Sequence, residues 1–131
     1  MHMPEAFPAI LVLDDEERVR ELLIDYLSEF DEFELRGAGS GEEALEQLKE
    51  RPALLSVVDM RLPGMDGADF IESATAARLC HHFIIHTGSV DFSVSRPLKD
   101  LGLTQEDVFY KPADAARMLE RIRVLIKGEG G

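Results

Sequence analysis

The chain has 131 residues, 45% of them hydrophobic, and 14 Lys and Arg stand against 26 Asp and Glu for a formal net charge of −12. That length suits one domain with its own core and no second catalytic domain, and no apolar run approaches the roughly 18 residues of a membrane span. The acidic balance argues against this domain gripping a nucleic-acid backbone by itself; the single Cys80 excludes an internal disulfide and, with no signal-peptide start, points to the cytoplasm.

Met1 to Pro8 shows no period and reads as a tail (residues 1–8). Ala9 to Leu13 is a continuous apolar run, as expected of a parallel strand covered on both faces. Glu16 to Phe30 then places Val19, Leu22, Leu23, Tyr26, Leu27 and Phe30 at helical spacing. Phe33 to Ala38 alternates weakly as a second strand. Ser40-Gly41-Glu42-Glu43 forms a capping box, with Ser40 as N-cap and Glu43 reaching back, and opens a helix on Ala44, Leu45 and Leu48 that Arg51-Pro52 closes.

Leu54 to Val58 is a third strand and ends on an acid, Asp59. The turn dipeptides Pro63-Gly64 and Asp66-Gly67 follow, then a helix marked by Phe70, Ile71, Ala74 and Ala77. Phe83 to His86 gives a fourth strand. Ser89 to Thr104 predicts a mobile loop and a short helix beginning near Pro97. Val108 to Tyr110 is a fifth strand, and the last helix starts near Asp114 and buries Met118, Leu119, Ile122, Leu125 and Ile126. Its charged stretch Arg117 to Arg123 reads as a solvated face. Residues 127–131 read as a second tail or linker stub, which leaves 9–126 as the domain.

Five strand–helix units imply an α/β fold: a doubly wound parallel sheet of order 2-1-3-4-5 with helices on both faces and a ligand edge at the strand C-termini. On that edge stand Asp14-Asp15, Asp59, Thr87 and Lys111-Pro112. Each has a simpler explanation alone: a helix cap for Asp14 or Asp15, a strand-end hydroxyl for Thr87, a solvated cation for Lys111. Together they suggest chemistry. Crowded carboxylates repel, and a hard divalent cation such as Mg²⁺ relieves them while leaving one Asp to act as nucleophile toward phosphorus. Lys111 and Thr87 suit the neutralisation of phosphoryl oxygens. His81, His82 and His86 are spread along a strand with no Cys or acid to complete a metal set, and Cys80 reads as a small buried residue.

The blocks "ILVLDDE" (Ile10 to Glu16), "VVDMRLPGMDG" (Val57 to Gly67), "IIHTGS" (Ile84 to Ser89) and "FYKPAD" (Phe109 to Asp114) resemble, in order, the receiver domains of two-component response regulators. The resemblance implies the flavodoxin-like, CheY-like fold. It implies Asp59 as phosphoacceptor, Asp14, Asp15, Asp59 and the backbone carbonyl of Arg61 as Mg²⁺ ligands, and Thr87 and Lys111 as holders of the phosphoryl oxygens. It also implies a sensor histidine kinase or phosphotransfer protein as donor, and an output protein or C-terminal effector domain as reader. Such a domain is a switch rather than an enzyme, with self-phosphorylation from small donors and autodephosphorylation expected, and a homodimer through the fourth strand and its flanking helices is a family expectation.

Two features depart from the family. The aromatic usually found three residues before the Lys is Val108 here; Phe109 has the wrong strand parity and Tyr110 lies one pleat later. The fourth helix is short. Arg61 and Ser89 occupy positions that in the family tune acyl-phosphate hydrolysis. A haloacid dehalogenase type phosphatase would need an acid two residues past Asp59, where Arg61 stands. A receiver-like pairing module that is never phosphorylated is the other alternative, against which the intact acid, Thr and Lys set speaks.

Overall fold

Strand β1 (Ala9–Leu13) is almost wholly buried because it lies inside the sheet, flanked by β2 (Glu34–Ala38) and β3 (Ala53–Val58). The computed structural model describes residues 7–130; Met1 to Ala6 of the N-terminal stretch and Gly131 lie outside the described residues. With β4 (Cys80–Thr87) and β5 (Val108–Tyr110) the strands form one parallel sheet of order β2-β1-β3-β4-β5, as the sequence predicts. The helices are α1 (Glu17–Ser28), α2 (Gly41–Glu50), α3 (Gly67–Ala76), α4 (Arg96–Asp100) and α5 (Ala115–Gly130).

Alternation along the strands divides the core into two layers. Leu11, Leu13, Val58, Phe83 and Ile85 pack with Phe70, Ile71 and Leu98 of α3 and α4. Ile10, Val12, Leu55, Val57 and Ile84 pack with Leu23 and Leu27 of α1 and Met118 and Ile122 of α5. Because every pairing is parallel, all strand C-termini share one edge, held between two apolar layers.

Helix ends depart from the sequence reading in instructive ways. Ser40 does cap α2, its Oγ accepting from the Glu43 amide at 3.1 Å, but the Glu43 carboxylate reaches one residue further and accepts from the Gly39 N–H at 3.0 Å. Asp66, read as a turn residue, is the N-cap of α3 and accepts from the Asp69 N–H at 2.9 Å. Helix α4 has only five residues with Pro97 in its first turn, as expected from its sequence. Helix α5 runs to Gly130, so residues 127–130, read as a tail, have helical backbone.

The charged face of α5 is not simply solvated. Arg123 pairs with Glu32 and lies 5.3 Å from the centroid of the Phe30 ring. Arg121 donates to Asp107 at 2.8 Å, and Asp107, only 3% exposed, also accepts from the Thr104 N–H at 2.9 Å in a single turn of 3-10 helix ahead of β5. No helix among the described residues is long and apolar enough to cross a membrane. Arg121→Ala would leave a buried carboxylate without its cation and should cost about 3 kcal/mol, read by urea denaturation. Arg117→Ala on the exposed side should change stability by no more than about 0.5 kcal/mol.

Candidate functional site

Pairing of Leu13 with Val58 sets the next residues of β1 and β3 side by side. The ladder continues one step: the Asp59 N–H donates to the Leu13 carbonyl at 2.9 Å and the Asp14 N–H to that of Ala38 at 3.1 Å. Asp14 and Asp59 are 2% and 4% exposed, whereas Asp15 is exposed, yet one carboxylate oxygen from each of the three lies within 4.8 Å of the others. Asp14 is not a helix cap. Glu16 is the N-cap of α1 and caps nothing with its side chain, while Asp14 Oδ1 accepts from the Glu16 N–H at 2.9 Å and the Asp14 carbonyl accepts from Arg20 at 2.7 Å.

Among the described residues one cation faces three acids here with its side-chain nitrogen. Lys111 Nζ lies 2.9 Å from Asp14 Oδ2, 3.3 Å from Asp59 Oδ2 and 3.4 Å from Glu16 Oε1. The Asp14 contact lacks hydrogen-bond geometry, so a buried carboxylate oxygen keeps unused acceptor capacity. Burial pushes the Asp59 carboxyl up, and Asp14 adds to the rise against the opposing pull of the Arg61 N–H and Lys111. Burial draws the Lys111 ammonium down, but the Asp14 and Asp59 carboxylates outweigh it and hold it above its ordinary value. An all-oxygen set in which the buried Asp14 Oδ2 accepts no hydrogen bond fits a hard divalent cation of the Mg²⁺ type.

Thr87 is fully buried at the end of β4; its Oγ1 accepts from the Ser89 N–H at 3.1 Å, and its carbonyl accepts from the Lys111 N–H at 2.7 Å. The Arg61 N–H donates to Asp59 Oδ1 at 3.1 Å, and its exposed guanidinium reaches Ser89 Oγ at 3.4 Å. Gly67 makes the loop between β3 and α3 possible: a Cβ there would stand 2.6 Å from the Asp59 carbonyl oxygen and 2.7 Å from Met60 Cα.

Val108 is buried at the position where an aromatic was sought, and Phe109 packs in the opposite layer, as its parity requires. Tyr110 shares the face of Val108. Its hydroxyl donates to the Phe92 carbonyl at 2.8 Å and accepts from Gln105 at 2.8 Å, tying β5 to the loop that follows Thr87. The three clustered histidines do not converge on a metal: His81 is exposed, His82 half-buried and His86 buried. Burial pushes the Cys80 thiol up to about 11, and Ser56 Oγ lies 3.2 Å from its sulfur, so it is an inert core residue. Sequence reasoning missed Glu16 as a partner of Lys111, although its place two residues after Asp14 was a signal. It also missed the burial of His86, for which the strand pattern alone was the clue.

Comparison with known proteins agrees with this fold. The profile of the response regulator receiver domain matches residues 10–123. The transcriptional regulatory protein GltR of Pseudomonas aeruginosa is 31% identical over 121 residues, covering 91% of this chain and 49% of that protein. The transcriptional regulatory protein SrrA of Staphylococcus aureus is 30% identical over 118 residues, covering 90% and 47%. The chain thus spans about half the length of the curated relatives it matches. Among solved structures, the REC domain of AraT, a response regulator from Geobacillus stearothermophilus, superposes with a TM-score of 0.78 at 30% identity, over 95% of this chain and 98% of that one.

His86 supplies a pH signature. Burial, helped by Lys111, pushes its imidazole from the ordinary 6.5 down to about 4. Between those values the unfolded chain takes up a proton that the folded chain refuses, so stability is lost as pH falls through that window. Urea titrations at about pH 7.5 and about pH 4 should show His86→Leu removing up to about 3 kcal/mol of the wild-type loss.

Proposed function

The chain belongs to the response regulator receiver domain family, and from that premise we propose that it is the phosphoacceptor switch of a cytoplasmic two-component pathway, with Asp59 as the acceptor. The observation that carries this reading is the shortfall of positive charge on the sheet edge: among the described residues a single ammonium stands among the carboxylates of Asp14, Asp59 and Glu16, and the buried Asp14 Oδ2, ion-paired to it, accepts no hydrogen bond. Such an edge favours the arrival of a cation, and with it the binding of a phosphoryl group beside a carboxylate nucleophile.

In the proposed reaction a carboxylate oxygen of Asp59 attacks phosphorus in the phosphohistidine of a sensor kinase or phosphotransfer protein. A P–O bond forms and the P–N bond breaks, its electron pair returning to the donor imidazole, which leaves as the neutral ring once a proton is shared with solvent. Asp14, Asp15, Asp59 and the Arg61 carbonyl would hold Mg²⁺, which when bound supplies positive charge against the carboxylates and the transferred oxygens. Lys111 Nζ, already at the Asp59 carboxylate, would donate to one phosphoryl oxygen. Thr87 accepts from Ser89 and keeps its own O–H to donate to another.

The switch would then run through the chain after Thr87. Drawing Thr87 toward a phosphoryl oxygen strains the loop that Tyr110 fixes at Phe92, and the population shift is bounded by how differently the two loop states bind that group. With Val108 lacking a ring, the Tyr110 hydroxyl is the coupling element in this reading. Relatives named as transcriptional regulators are about twice as long, which supports an effector domain or protein as the reader of the switch.

Incubation with Mg²⁺ and acetyl phosphate should add a single phosphate, mapped to Asp59 by peptide mass and absent in Asp59→Asn or without Mg²⁺. A wild-type protein that binds Mg²⁺ yet gains no phosphate would overturn the reading. Tyr110→Phe should raise hydrogen exchange of the amides at 88–94 by about three- to tenfold, the worth of one hydrogen bond, while leaving β1 and β3 unchanged.

A further inference from the structure

On the α1 and α5 side of the sheet, next to the acidic edge, lies a cavity of about 540 Å³. Val19, Leu23 and Tyr26 of α1 and Met118 of α5 give it hydrocarbon walls, and its volume is that of a small-molecule site. One imidazole, that of His86, stands in this lining. His86 follows Ile84 by two residues and so faces the same layer, where its strand neighbours Ile10, Val12, Leu55 and Val57 are aliphatic and Phe109 of β5 is aromatic but apolar. It is 8% exposed, and no hydrogen bond to its ring is present among the described residues. A leucine would pack there without desolvating a polar group, whereas an imidazole with no hydrogen-bonding protein partner is satisfied only from the cavity side.

Charge narrows what that something is. Lys111 also lines the cavity, but it is committed to Asp14, Asp59 and Glu16, and Glu16 itself stands in the lining. A carboxylate or phosphate on the ligand would meet surplus negative charge. A neutral imidazole both donates and accepts, which matches a hydroxyl or an N–H. We propose that this cavity binds a small neutral amphiphile, an aromatic or branched aliphatic body with one hydroxyl or N–H group that hydrogen-bonds to His86. The inference stands apart from phosphorylation, since it concerns only the unmodified protein.

Phenol, benzene and benzoate probe the three requirements separately. Titrated into the ¹⁵N-labelled chain, phenol should shift the amides of α1 and of Lys111 to Ala115 saturably, benzene should bind about fivefold more weakly for want of one hydrogen bond, and benzoate should not saturate. In His86→Leu, phenol should fall to the affinity of benzene while benzene itself is unchanged. Val19→Trp, which fills the cavity from α1, should abolish both. Absence of saturable shifts with phenol in the wild type, equal binding of phenol and benzene there, or shifts that survive Val19→Trp would each overturn the proposal. The amide spectra report directly whether each variant is folded.

Discussion

A shortage of cations at one edge of a buried sheet governs this molecule. Among the described residues Lys111 alone faces Asp14, Asp59 and Glu16, and it is delivered by the end of β5, the edge strand opposite β2. Holding like charges together at that spacing opposes folding, and only a rigid frame can impose it. Two apolar layers supply that frame, since β1 and β3 are covered on both faces and cannot splay without exposing hydrocarbon. The backbone bond from Lys111 to the Thr87 carbonyl then fixes the cation to the neighbouring strand end.

The same frame explains why helices are attached to the site through backbone atoms. Arg20 of α1 donates to the carbonyl of Asp14, and the first residue of α3 rests on the carbonyl of Asp59. Asp14 Oδ2 and Asp59 Oδ2 are thereby left for the shared edge, although Asp14 Oδ1 accepts from the Glu16 N–H. Glu42 of α2 adds a third attachment by accepting from the Met65 N–H, which anchors the loop beyond Asp59. Helix positions are thus tied to the strand termini and not only to the hydrophobic layers.

How much of this was legible in the sequence depended on range. Apolar runs and helical spacing carried strand order and the gathering of Asp14, Asp59, Thr87 and Lys111 on one edge, because parallel topology leaves few arrangements. Local side-chain choices were harder. Glu43 bonds Gly39 instead of Ser40, and Asp66 caps α3, differences of a single bond that residue type alone does not decide. Asp107 and His86 were illegible for another reason: a buried polar residue is recognised by what surrounds it, and Arg121 and the α1–α5 layer are remote in sequence. The charged run of α5 looked solvated because its partners, Glu32 and Asp107, lie in other segments.

Gly67 carries a consequence for how such a chain can diverge. Most tight spots in a core are side chain against side chain, so a bulkier residue at one place is tolerated once a neighbour shrinks. At Gly67 the nearest obstacles include the Asp59 carbonyl and the Met60 Cα, which every amino acid possesses. No second-site change of residue type removes both. The outer face of α3 is free to drift in sequence, but its first residue is pinned, and a lineage could change it only by rebuilding the loop between β3 and α3.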